Sequence, residues 1–328
     1  MAAPTYKRHV PKDGSRHRLT TYIAVSLFVL VDVALIGWAL NSTRGAPAAP
    51  QTEELPVATA PQLAPTETST PEPTAAASTF ILTEAVTPTR IITALNATTA
   101  WRAQTGPCPA TAAEPEYTLD GGVTWTKTDA TGPTGVTAIQ SIAVEADGIA
   151  SLVALAGADC APEFVKTFVS GENYRAYDEQ LADTWHIDLA DLSTIETPAG
   201  TVVSPCDEVV ALVASTPTEA AALCSDQSIV MTDSSGVRWT EPVSVQNAVA
   251  LSVSAGGYRL ASVGQSDCVG IQVATISPIL ASVVTTGCLA TDLTIDSEAV
   301  GISEAAGSIW IWTHSTVLRS FDGGTTWE

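Results

Sequence analysis

The hydrophobic pattern of the chain changes character three times along its length. Residues 21–40 are almost continuously apolar and read YIAVSLFVLVDVALIGWAL after the first Thr. A run of that length predicts a single helix able to cross a hydrocarbon core of about 30 Å. Residues 41–78 are Ala, Pro, Thr and Glu with very few large apolar side chains. Such a segment cannot bury enough surface to offset its ordering entropy, and its prolines make it a semi-extended spacer. From about residue 79 the pattern becomes short apolar runs separated by turn residues. Examples are 141–144 and 151–155 around Gly148, 209–214 and 220–224 around Pro217, and 250–253 and 258–263 around Gly256 and Gly257. Residues 309–312, Ile-Trp-Ile-Trp, alternate with a period of two and put Trp310 and Trp312 on one face. No segment after residue 90 sustains a 3.6-residue stripe, so 79–328 is predicted to be all-β.

The spacing of the tryptophans organises these strands. Trp125 to Trp185 is 60 residues, Trp185 to Trp239 is 54, and Trp239 to Trp327 is 88, or two steps of 44. Repeats are therefore expected to end near residues 125, 185, 239, 283 and 327, each with about four strands. Two of the tryptophans close the same frame. It is Thr118-Leu119-Asp120-Gly121-Gly122-Val123-Thr124-Trp125 in one copy and Ser320-Phe321-Asp322-Gly323-Gly324-Thr325-Thr326-Trp327 in the other. Asp-Gly-Gly is strong turn chemistry, because glycine accepts φ > 0 and Asp bonds nearby amides. A weaker copy has Thr232, Ser234, Gly236 and Trp239 in the corresponding places. A badly eroded one would put Asp178, Gln180 and Ala182 ahead of Trp185.

The frame Ser/Thr-x-Asp-x-Gly-x-x-Trp resembles the Asp box, or BNR repeat, of sialidase-like and sortilin-like β-propellers. It also resembles that of the soluble photosystem-assembly type. The resemblance implies about five four-stranded blades, or six if one is eroded. It implies that Thr118, Asp120, Ser320 and Asp322 fasten turns, that Gly122 and Gly324 permit them, and that Trp125, Trp239 and Trp327 pack between blades. It assigns these residues no catalysis. A sialidase would further need an arginine cluster for a carboxylate, a Tyr/Glu nucleophile pair and an acid Asp. Arg90-Ile91-Ile92 departs from the Arg-Ile-Pro stretch of those enzymes, and residues 79–328 hold only six arginines.

Charge and cysteines place the chain. Lys7, Arg8, Lys12, Arg16 and Arg18 precede the apolar run, opposed by Asp13 alone, and only Arg44 follows closely. The positive-inside rule puts residues 1–20 in the cytoplasm and the rest outside. Tyr22 and Trp38 sit near the two ends of the span, where amphipathic rings prefer the interface. Asp32 costs roughly 2.5–3.5 kcal/mol at mid-membrane, which the surrounding apolar side chains absorb. A cleaved signal peptide ending near Ala46-Pro47-Ala48 is the alternative, but the apolar run exceeds the usual h-region. Cys108, Cys160, Cys206, Cys224, Cys268 and Cys288 contain no Cys-x-x-Cys pair, which argues for disulfides in an oxidising compartment rather than zinc. Fifteen pairings are open, and the simplest joins neighbours in sequence.

Residues 91–328 carry seven Lys and Arg against 28 Asp and Glu, a net charge of −21. Such a surface repels nucleic acid. There is no Gly-x-Ser-x-Gly, phosphate-binding glycine loop, His-Glu-x-x-His or calcium loop. The expectation is thus a single-pass, membrane-anchored, extracytoplasmic binding module without a cofactor, acting on a protein or glycan ligand at the propeller face. A sialidase-like glycoside hydrolase is the alternative.

Overall fold

A computed structural model describes residues 81–279 and 281–328. The expected basic tail, the span at 21–40 and the linker at 41–78 lie outside the described residues. Among the described residues no helix is long and apolar enough to cross a membrane.

The domain is a five-blade β-propeller. Blade 1 is β1 (Arg90–Ala94), β2 (Ala100–Gln104), β3 (Glu116–Thr118) and β4 (Thr126–Lys127). Blade 2 is β5 (Val136–Ala146), β6 (Ile149–Ala156), β7 (Ala161–Thr167) and β8 (Arg175–Ala176). A two-stranded hairpin follows, β9 (Thr194–Thr197) and β10 (Gly200–Val203). Blade 3 is β11 (Val209–Ala214), β12 (Ala220–Cys224), β13 (Ser228–Thr232) and β14 (Val243–Ser244). Blade 4 is β15 (Ala248–Ser254), β16 (Gly257–Gln265), β17 (Cys268–Ser277) and β18 (Ser282–Ala290). Blade 5 is β19 (Val300–Ala305), β20 (Ser308–Thr313) and β21 (Thr316–Ser320). Within every blade, strands pair antiparallel with their sequence neighbours. In blade 5, Glu328 exchanges both backbone hydrogen bonds with Arg319 at 3.0 Å, the place a fourth strand takes elsewhere. Two single-turn helices, α1 (Thr131–Thr134) and α2 (Asp178–Leu181), lie in connections.

Stacked blades bury both faces of their middle strands, which explains sequences that do not alternate. β12 (AAALC) and β20 (SIWIWT) are buried at every position. In β20 the two-residue period sorts side chains between two different cores. Trp310 and Trp312 pack with Ile92, Ala94 and Ala100 of blade 1, while Ile309 and Ile311 pack with Val249, Ile271 and Val273 of blade 4. The first of these contacts closes the ring. There Ala94 N also donates to Ser303 Oγ at 2.9 Å.

The hairpin fills the interval between blades 2 and 3. Its Ile195 and Val202 pack with Trp185 and Trp239 against Val209, Ala222 and Val230. Trp185 and Trp239 meet edge-to-face at 6.4 Å, and Trp185 Nε1 donates to Thr216 O. Trp185 therefore belongs to the hairpin's packing on blade 3 and ends no blade, contrary to the spacing argument. Three disulfides are present, Cys108–Cys160, Cys206–Cys224 and Cys268–Cys288.

Candidate functional site

The third-to-fourth strand turns hold the Asp-Gly-Gly frames. Thr118 Oγ1 donates to Asp120 Oδ1 at 2.8 Å and accepts from Gly122 N at 2.9 Å. Asp120 then accepts from Thr124 N and Thr124 Oγ1. Ser320, Asp322, Gly324 and Thr326 repeat the pattern. In blade 3, Thr232 Oγ1 accepts from Gly236 N, and Ser234 Oγ stands in for the carboxylate by accepting from Arg238 N. These bonds hold Asp120 and Asp322 at a pKa of about 2, chiefly through Thr124 and Thr326. Trp125 Nε1 and Trp327 Nε1 donate back to Gly122 O and Gly324 O. Every strong acceptor is thus occupied within the turn, and the frames offer fasteners rather than reactive groups.

A fourth frame lies in blade 2, at Thr167–Tyr174 and not at Asp178–Trp185. Thr167 Oγ1 accepts from Gly171 N at 2.9 Å, Val169 takes the Asp place, and Tyr174 takes the Trp place. Ser170 and Gly171 have φ of 53° and 79°, matching Ser235 and Gly236 at 53° and 77°. Each turn docks on the element before it. A Cβ at Gly171 would strike Thr128 of blade 1, and one at Gly287 of blade 4 would collide with the Gly324 carbonyl of blade 5. A Cβ at Gly236 would meet Val202, so the hairpin stands to blade 3 where a preceding blade stands elsewhere.

The opposite face carries the starts of the first strands and the second-to-third turns. Here, between blades 5 and 1, an open cleft of about 650 Å³ is lined by Arg90, Arg102, Glu116, Lys127, Trp312 and His314, among others. β1 and β2 place Arg90 opposite Gln104 and Arg102 opposite Ile92, while β20 supplies Trp312 across the blade boundary. The Arg102 guanidinium lies 4.0 Å from the Trp125 ring centroid and 4.6 Å from that of Trp312. Its Nε and Nη2 both reach Glu116 Oε2, at 2.7 and 2.6 Å. Lys127 pairs with Glu114 at 2.7 Å, a bond that raises the lysine pKa.

Arg90 is different. Its guanidinium sits 4.9 Å from the Trp312 ring centroid, yet Nε and Nη1 are buried without a hydrogen-bond partner. Burial lowers its pKa, Asp296 opposes that shift, and Arg102 reinforces it. Each buried donor left unpaired costs about 1–3 kcal/mol, more when charged.

Three of the eight Lys and Arg in residues 79–328 therefore converge on one cleft in a strongly acidic domain. In the sequence Arg90 stands out only as a departure from the Arg-Ile-Pro stretch, and no local pattern selects Arg102, Glu116 or Trp312 as site residues. The scarcity of cations was the one signal available, because Arg90 and Trp312 are separated by most of the domain. Among the described residues no group of three or more His, Cys, Asp and Glu could hold a metal ion.

No protein family matches the sequence, and no curated protein does. Solved structures do match in part. YCF48 bound to a D1 peptide is 16% identical, with 76% of this chain and 83% of that chain covered and a TM-score of 0.30. YCF48 from Cyanidioschyzon merolae is 14% identical, covering 74% and 85%, with a TM-score of 0.31. The GH74 xyloglucanase from Xanthomonas campestris is 14% identical over 73% of this chain and 37% of its own, with a TM-score of 0.28. At these TM-scores the likenesses carry nothing about function.

Proposed function

We propose that this protein is an extracytoplasmic binding module, held at a membrane by residues 21–40, that takes a carboxylate in the cleft between blades 5 and 1 and does not turn it over. The observation that carries this reading is Arg90, which lines the cleft beside Trp312 and, unlike Arg102 and Lys127, makes no salt bridge among the described residues. A carboxylate supplies the counter-charge that this guanidinium lacks, and a partly desolvated guanidinium binds one more strongly than an exposed one does. Arg102, clamped by two rings and Glu116, keeps the wall of the cleft rigid and adds positive charge. The absence of turnover is supported by the carboxylates of the cleft. Glu116 is engaged by Arg102 and Glu114 by Lys127, which leaves the cleft lining without an unpaired carboxylate. The apolar run at 21–40 with its basic flank, the Pro-rich stretch at 41–78 and the three disulfides support an outward-facing domain.

The test is a thermal-shift and calorimetric screen of the oxidised full chain in detergent. It compares acidic sugars and acidic peptides with their neutral amides and follows hydrolysis for every hit. A carboxylate ligand should raise the melting midpoint, its amide should not, and Arg90→Gln should weaken binding by about 10–100-fold, the loss of one or two charge-assisted hydrogen bonds. Equal binding of acid and amide, or an unaffected Arg90→Gln variant, would sink the assignment. Turnover of a glycan would replace it with the glycoside hydrolase reading.

A further inference from the structure

The same face holds the N-terminal end of the described chain through contacts that read backbone rather than side chain. Leu82 N donates to Asn247 Oδ1 at 2.7 Å, and Gln227 Nε2 donates to Leu82 O at 2.8 Å. Gln227 Oε1 also accepts from the Asn247 backbone N at 2.5 Å, which ties the Gln227 side chain to the Asn247 main chain. Both polar backbone groups of Leu82 are thus satisfied, as a neighbouring strand would satisfy them. Three residues on, Ala85 N donates to Ser225 O at 2.7 Å. The Ala85 methyl group is buried among Val210, Leu251 and other side chains of the core between blades 3 and 4, while Leu82 packs on the core between blades 4 and 5.

Gln227 and Asn247 both hold φ in the left-handed region, at 65° and 57°. Such backbone is uncommon for residues with a Cβ, Asn least so, and in this domain it recurs at turns such as Ser170, Ser235 and Ala306. Residues 86–88 make no hydrogen bond among the described residues. The chain is gripped again only at Thr89, whose N and Oγ1 donate to Glu298 O at 2.7 and 2.9 Å. The segment 82–85 is therefore an irregular peptide docked on turns, with a bend at residues 83–84, joined to β1 by a short ungripped hinge, and not a strand of any blade.

We infer that Gln227, Asn247 and Ser225 form a peptide-binding groove, filled here by the protein's own residues 82–85 and open to a partner's segment of the same bent shape once that strap is displaced. The partner peptide needs an apolar residue at the Leu82 position and a small one three residues later, because Ala85 has no room to grow. Its other side chains are unrestricted, since the remaining contacts are to backbone. Bonds to the main chain supply affinity, and the apolar contacts at the Leu82 and Ala85 positions supply selectivity. The groove lies over blades 3 and 4 and does not depend on the carboxylate cleft of blades 5 and 1.

The test uses the full chain and a fluorescent peptide copying residues 81–89. In the wild type the tethered strap competes at an effective concentration in the millimolar range. Ala85→Trp cannot fit and should eject the strap, so the peptide should bind this variant about 100-fold more tightly than the wild type. Adding Gln227→Ala should abolish that gain. A folded Ala85→Trp variant that binds the peptide no better than the wild type would overturn the groove, as would binding indifferent to Gln227→Ala. Should Ala85→Trp fail to fold, a protease site placed in residues 86–88 frees the strap after folding. Native mass spectrometry should then show exchange with excess peptide, and a cut strap that never exchanges overturns the proposal equally.

Discussion

Neutralising Glu304 should loosen the joint between blades 4 and 5. Arg259 of β16 reaches across that boundary, with Nε and Nη2 at 2.6 and 2.5 Å from Glu304 Oε2 of β19 and Nη1 at 3.0 Å from Thr286 Oγ1 of β18. The two side chains are only 8% and 11% exposed, so water cannot replace a lost partner. Glu304→Gln leaves the guanidinium buried without its counter-charge, a loss of about 3–5 kcal/mol. For a domain of this size each kcal/mol moves the melting midpoint by about 2–4 °C, so a drop of roughly 6–20 °C is expected. Replacing both residues by Met removes the charge together with its partner and should recover most of that loss, because a buried pair is worth little against well-packed apolar side chains. The assay is thermal unfolding of the oxidised protein followed by near-UV circular dichroism at low and high salt. A Glu304→Gln variant melting within about 2 °C of the wild type, less than one kcal/mol at that sensitivity, would refute the reasoning. So would a double Met variant no more stable than the single one.

Other consequences can be checked on the same protein. Trp327→Ala removes a half-buried ring that packs between blades 4 and 5 and donates to Cys288 O and Gly324 O; chemical denaturation should show a loss of about 2–3 kcal/mol, below the 3–5 of a fully buried aromatic. Asp120 and Asp322 have folded-state pKa values of about 2, below the unfolded value near 3.9. Their stabilisation is therefore fully present above about pH 5 and disappears as pH falls through 2. Melting curves between pH 2 and 5 should show the Asp120→Asn, Asp322→Asn variant taking up about two fewer protons on unfolding. The disulfide Cys108–Cys160 closes a separation of 52 residues and Cys206–Cys224 one of 18. Serine replacement of the first pair should cost about 4 kcal/mol and of the second about 3, read by denaturation under oxidising conditions.

Much of this architecture was legible in the chain itself. Short apolar runs with glycine turns specify antiparallel blades because a period of two cannot be satisfied by a helix. Two Asp-Gly-Gly frames specify their turns because hydroxyl, carboxylate and φ > 0 are all local requirements, met within eight residues. The frame in blade 2 escaped notice because Val169 and Tyr174 stand where Asp and Trp were expected. Its turn is held by Thr167 and the left-handed pair Ser170 and Gly171, which backbone geometry reveals and residue identity does not. Trp185 misled for the complementary reason: a tryptophan at a plausible interval serves a hairpin instead.

Sequence alone determined the strand-rich class, the acidic surface and the turn chemistry, since each depends on composition or on neighbours along the chain. Only the tertiary structure decided that the ring closes by stacking β20 on blade 1. That closure brings Trp312 to Arg90 and Arg102 and leaves two arginine donors buried without partners. It also decided that Leu82 is gripped by Gln227 and Asn247, each about 150 residues further along the chain. Sites of this kind arise where separate blades meet. Their residues share no local pattern, because what selects them is the electrostatics and packing of a boundary that exists only once the ring has formed.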